Sequence, residues 1–117
     1  MNDQRKYVRR PTNDYFVVFD DTTGQPLGRL LNLSSEGLLL MTAEEVAIPT
    51  TLQCRLVFPA EIKGQTEIRF AAESRWGRHN AKNDWFETGF KITSISDPHR
   101  QILAYLVSEQ LVEKASP

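Results

Sequence analysis

Apolar residues recur at every second position through most of this chain and at helical spacing only near its end. Tyr15 to Asp20 is a β-branched and aromatic run that stops at the turn-forming stretch 21–25, Asp-Thr-Thr-Gly-Gln. Leu27 to Leu33 and Gly37 to Thr42 are short apolar segments separated by Ser34-Ser35-Glu36. Leu52, Cys54, Leu56 and Phe58 alternate with Gln53, Arg55 and Val57, the two-residue period of a strand buried on one face. Lys63-Gly64-Gln65 turns the chain. Beyond it Ile68, Phe70, Ala72 and Trp76 share a face, and Glu67, Arg69, Glu73 and Arg75 face water. The polar stretch 77–83 reads as a loop, and Phe86, Thr88, Phe90 and Ile92 form the last alternating strand. The period then changes. Asp97-Pro98 predicts a helix start, with Asp97 as the cap, and Leu103, Leu106, Val107 and Leu111 follow along one helical face. Six strands and one helix predict a mainly β fold, a six-stranded antiparallel barrel with a C-terminal α-helix packed on it. An open sandwich is the alternative with the same pattern.

Composition narrows the setting. The chain has 117 residues, 40% of them hydrophobic and 25% charged, enough for one core without a disulfide or metal. Its single cysteine, Cys54, alternates with Leu52 and Leu56 as a core residue and fits a reducing cytosol. No apolar run approaches the ~20 residues of a membrane span, and the polar, basic start is unlike a signal peptide, so a cytoplasmic location is expected. His79, in the polar stretch, and His99, in the first helical turn, lack ligands at metal spacing and are expected to face solvent. Glu44-Glu45 reads as a solvated turn. No nucleophile or metal motif points to an enzyme, and neither a metal nor a cofactor is expected.

The charge is uneven. The net charge is −1, yet Arg5, Lys6, Arg9 and Arg10 stand against Asp3 alone within residues 1–13, which leaves −4 on the remainder. A basic arm on a mildly acidic body suits a small anionic ligand better than DNA or RNA. Binding of single-stranded RNA would also ask for several exposed aromatics along a basic groove, whereas most aromatics here fall at alternating, inward positions.

Two segments carry candidate chemistry. Arg5-Lys6-Tyr7-Val8-Arg9-Arg10-Pro11 sets two guanidiniums four apart, and Pro11 favours an extended entry into the first strand. Guanidinium forks fit phosphate oxygens and the O6/N7 edge of guanine. Alone, the segment reads as a solvated basic tail. Asn32-Leu33-Ser34-Ser35-Glu36-Gly37 lies between two apolar strands, where Asn and Ser can bond the backbone locally. Gly37 there permits a positive φ or a close backbone approach. Alone, this reads as an ordinary hairpin turn.

Together and in this order, Arg-x-x-x-Arg (Arg5, Arg9) and Asn-x-Ser-x-x-Gly (Asn32, Ser34, Gly37) resemble the PilZ domain family. Arg75-Trp76-Gly77-Arg78 and Thr88-Gly89-Phe90 extend the resemblance to roughly residues 5–112. Lys6 and Arg10 share the fourfold spacing, but the family's single residue between the second Arg and a Pro favours Arg5 and Arg9, with Arg10 adding to phosphate binding. The resemblance implies a PilZ-like β-barrel over residues 13–114 behind a flexible basic arm, residues 1–12. It also implies a receptor that binds cyclic di-GMP and relays it to an unidentified protein partner; the arm, like-charged and almost without apolar anchors, is expected to become ordered on binding and so carry the signal. The implied ligand residues are Arg5, Arg9, Arg10, Asn32, Ser34, Gly37, Trp76 and Arg78. Alternation puts Trp76 in the core, whereas a place at the barrel rim, stacking on a base, is what some family members would suggest. Membrane insertion is not expected, and the chain is expected to be a monomer or weak dimer. The rival reading is a PilZ-like adaptor that binds no nucleotide.

Overall fold

The structure, a computed structural model, describes residues 15–109. Arg5, Arg9 and Arg10, with the whole arm 1–12, lie outside the described residues, as does Leu111. Six antiparallel strands close into a barrel in the order β1-β2-β3-β6-β5-β4, which decides between barrel and sandwich. They are β1 (Val17–Asp20), β2 (Pro26–Leu33), β3 (Gly37–Thr42), β4 (Thr51–Ile62), β5 (Gln65–Asn80) and β6 (Trp85–Ile95), followed by helix α1 (Asp97–Ser108).

Local chemistry fixes the turns. Asp20 Oδ1 accepts the Thr22 and Thr23 amides at 2.9 and 3.4 Å, and Gly24 (φ 80°) completes the β1–β2 turn. Lys63 and Gly64, both at positive φ, make the tight β4–β5 turn. The core is Val18, Leu40, Leu56, Ile68 and Phe90 inside the barrel, and Leu103 and Leu106 of α1 pack against the same cluster. Two buried hydroxyls fasten segment 43–50, which links β3 to β4. Ser74 donates to Ala47 O (2.7 Å) and accepts the Thr50 amide (2.9 Å), and Thr42 donates to Glu44 O (2.8 Å).

Three expectations are corrected. The stretch 77–83 is not a loop, because β5 continues to Asn80 and only residues 81–84 turn. A strand in this hairpin needs no apolar alternation where polar cross-strand partners hold it. Arg78 binds Glu87, Asn80 Nδ2 donates to Glu87 (3.3 Å), and His79 bonds Asp84 (2.7 Å). The helix cap is Ser96, one residue before the expected Asp97; its Oγ accepts the His99 amide (3.4 Å), while Asp97 and Pro98 occupy the first turn. His99 does not simply face solvent, since its Nδ1 accepts the Arg69 amide (3.0 Å) and ties α1 to β5.

The fourth correction concerns Trp76. Along β5, Ile68, Phe70, Ala72 and Ser74 point inward, and unbroken alternation would bury Trp76 too. Ser74 pairs with Phe90 and Trp76 with Gly89, so Arg75 is an extra residue. That bulge inverts the phase, and Trp76 is 45% exposed on the outer surface. The same device operates on β2. Leu30 pairs with Leu40 and Asn32 with Leu39, which makes Leu31 the extra residue and turns Asn32 outward although Leu30 is buried.

Cys54 is buried as expected. Burial pushes its thiol up to about 12 from an ordinary 9.0, and the carboxylates of Asp20 and Asp21 add to the rise. The folded thiol therefore stays neutral while the unfolded one ionises above pH 9, so this group's contribution to stability is intact below pH 9 and is lost as pH climbs toward 12. Urea unfolding of the wild type and Cys54→Ala at several pH values should show a wild-type advantage that shrinks over this range. An advantage that is constant with pH would mean the thiol ionises as readily in the folded chain as in the unfolded one.

Candidate functional site

The two bulges act on one row of the outer surface. Strand register sets Asn32 of β2 beside Leu39 of β3, Leu39 beside Gly89 of β6, and Gly89 beside Trp76 of β5. Neighbouring strands lie about 4.8 Å apart, so this row spans roughly 14 Å. Its floor is Leu39 and Gly89. The indole of Trp76 lies directly over Gly89, where even a methyl group would collide with Nε1, Cε2 and Cδ1. Absence of a side chain at Gly89 is thus what lets the ring lie flat. An open groove of about 460 Å³ follows the row, lined also by Ser34, Gly37, Arg75 and Lys91. Its volume is in the range of small-molecule sites.

The β2–β3 turn forms one end of the groove. Ser34 Oγ accepts the amides of Glu36 (3.2 Å) and Gly37 (3.1 Å) and donates to Gly37 O (3.3 Å), while Ser34 N donates to the same carbonyl (2.9 Å). The hydroxyl therefore builds the turn. Asn32 Oδ1 accepts the Leu33 amide at 2.8 Å, which leaves the Nδ2 donors facing outward without a partner among the described residues. Gly37 serves by close approach rather than by positive φ: a Cβ there would collide with Phe90 O of β6.

Arg78 stands one row further along, outside the groove lining. Its guanidinium binds Glu87 through Nε (2.9 Å) and Nη2 (2.7 Å) and sits 5.6 Å from the Trp76 ring centroid. It is thus a neighbour of the indole with its charge already paired. Arg75 lines the groove and pairs with Glu73 at 2.8 Å. Of the sequence-derived site residues, Asn32, Ser34, Gly37 and Trp76 meet at one groove. Arg5, Arg9 and Arg10 fall outside the described residues. The direction of β1 is informative about them, since Val17 pairs with Arg29 and Phe16 O accepts the Leu30 amide (2.8 Å), so the strand's beginning points toward the Asn32 end of β2. From Tyr15 to Arg9 is six residues, a reach of at most about 20 Å.

Sequence reading missed Leu39, Arg75 and Lys91 as groove residues and took Gly89 only as part of a strand pattern. Gly89 did carry a signal: a glycine at an outward position of an alternating strand marks a close approach. Arg75 carried none, because a bulge leaves no trace in an apolar pattern.

A model of the PilZ domain matches residues 3–109. The chain belongs to the PilZ domain family. PilZ domains form a family of cyclic di-GMP receptors and adaptors. The PilZ barrel is also similar to a solved structure, the Bacillus subtilis inhibitor of motility (MotI/DgrA), with a TM-score of 0.66 and 19% identity. That match covers 94% of this chain and 52% of the other, so the PilZ chain described here spans about half the length of that protein. At this identity the likeness speaks for the fold. No curated protein matches the chain. No helix among the described residues is long and apolar enough to cross a membrane.

The two glycines should respond differently to alanine. Gly37→Ala drives a methyl into backbone and should cost about 1–3 kcal/mol of stability. Gly89→Ala meets only the indole, which can swing away. It should cost less and should shift the Trp76 emission, read in a Trp85→Phe background. Unchanged emission in Gly89→Ala would show that the ring does not rest on Gly89.

Proposed function

We propose that this chain is a cytoplasmic receptor that binds cyclic di-GMP in the groove between Asn32 and Trp76 and passes the signal to a protein partner. The observation that carries this reading is the row itself. A flat floor of Leu39 and Gly89 ends in an aromatic ring on one side and in amide donors on the other, beside a turn matching the family motif. The ligand has two phosphates and two guanine bases, so it asks for a stacking surface, edge donors and cations. In this reading a base lies along the floor against Trp76, where stacking is worth about 1–3 kcal/mol. Asn32 Nδ2 donates to a guanine or phosphate acceptor. Gly37 keeps the wall low, and Ser34 acts through the turn it builds.

Arg5 and Arg9, with Arg10 in support, supply the cations. β1 begins on the Asn32 side, which supports closure of the arginine segment over ligand held on the groove. Charge-assisted bonds to phosphate would offset the backbone entropy of fixing that segment, about 1–2 kcal/mol per residue. The closed segment together with the ligand is then a surface that a partner meets only in the bound state. Arg78, paired with Glu87, acts by steadying the indole rather than by touching phosphate.

Isothermal titration calorimetry tests this. Cyclic di-GMP should bind at least about tenfold more tightly than cyclic di-AMP, because a bidentate arginine–guanine pair discriminates by about 1–3 kcal/mol. Arg9→Ala should lose most of the affinity and keep its melting temperature. Absence of heat with cyclic di-GMP would leave the adaptor reading; equal affinity for both nucleotides would remove the guanine-edge contact.

A further inference from the structure

Three residues stand side by side on the row next to the floor: Gly37 of β3, Lys91 of β6 and Glu73 of β5. Cross-strand neighbours of opposite charge ordinarily pair, and Glu73 is the register partner of Lys91. The pair does not form. The bulge at Arg75 brings that guanidinium back along its own strand, where Nε binds Glu73 Oε1 at 2.8 Å. Lys91 is left exposed on the groove wall without an ion pair among the described residues. On its other side lies Gly37, which has no side chain to cover it. Glu36 is the carboxylate of the lining, and it makes no ion pair with Lys91.

The arginines of β4 and β5 are all held in ion pairs. Arg55 and Arg69, register partners on β4 and β5, share Asp21 and Glu67 in a closed set of four. Arg78 is held by Glu87 and His79 by Asp84. Arg29, Lys63, Lys82 and Arg100 also lack an ion pair among the described residues, but of these unpaired cations Lys91 is the one that lines the groove, beside its apolar floor.

We infer that Lys91 is a ligand-phosphate contact of the groove, and that the Arg75–Glu73 pair keeps its ammonium free for that purpose. The inference rests on the cyclic di-GMP reading above and extends it: Lys91 faces one phosphate from the β6 wall. It also ties ligand affinity to a residue, Glu73, that need not touch ligand. With Glu73→Ala, Arg75 loses its partner and both cations become available.

Calorimetry with cyclic di-GMP at several salt concentrations tests this on the full chain, comparing wild type with Lys91→Gln, Lys91→Arg and Glu73→Ala. Lys91→Gln should weaken binding about tenfold and flatten the dependence of log Kd on log salt, since one ion contact is lost. Lys91→Arg should restore both to within about threefold of wild type, and Glu73→Ala should bind at least as tightly as wild type. Lys91 is exposed, so melting temperatures should be unchanged by its replacement. Wild-type binding with Lys91→Gln inside twofold and an unaltered salt slope would overturn this inference and leave the receptor reading standing. A wild type that binds no cyclic di-GMP would overturn that reading and this inference with it.

Discussion

Closing six strands around an apolar core sends every second residue inward, and this alternation governs what the outer surface can offer. Leu30 and Ser74 obey it, and two residues later Asn32 and Trp76 would have followed them inside. One extra residue on each strand, Leu31 and Arg75, reverses the phase. The polar amide and the indole arrive outside at opposite ends of a single row, with Leu39 and Gly89 between them. Burying either group would cost an unmet hydrogen bond or a crowded core. Turned outward, they become the ends of a groove.

Packing on the outer surface completes what the bulges begin. Gly89 lets the indole lie against the sheet, and Gly37 lets β3 and β6 approach at the turn. The three-way engagement of Ser34 Oγ holds that turn, and the Ile92 amide of β6 donates to its Glu36 carbonyl at 2.8 Å. Charge follows the same geometry. The arginines of β4 and β5 are neutralised by shared carboxylates on the far side, and Glu87 neutralises Arg78 next to the indole. Within the groove lining, Lys91 is the cation left without an ion pair among the described residues.

Much of this was legible in the sequence, for definable reasons. Apolar runs marked β1, β2 and β3, two-residue periodicity marked β4, β6 and the first part of β5, and Lys63-Gly64 and the residues after Asp20 marked turns. Cys54, flanked by Leu52 and Leu56, was readable as core. Asn32, Ser34 and Gly37 were readable from their spacing, although the role of Gly37 is close approach rather than φ. The hairpin beyond Trp76 was not legible, because polar cross-strand pairs such as Arg78–Glu87 hold it without an apolar signature. The orientation of Trp76 was hidden for a different reason. A bulge adds one residue without changing residue type, and only the partner strand's register exposes it. Ser96 displaced Asp97 as the cap because both suit the position and only the backbone decides which of them occupies it.

In the proposed receptor, ligand lies across the outer faces of β2, β3, β6 and β5. Amide chemical-shift mapping during a titration with cyclic di-GMP tests it most directly. Changes are expected at residues 32–37, 75–76 and 89–91, with the Trp76 indole proton among the largest. Asp21, Arg55 and Glu67, on the far side, should stay still. Shifts centred on that far side, with the Trp76 indole unmoved, would contradict it.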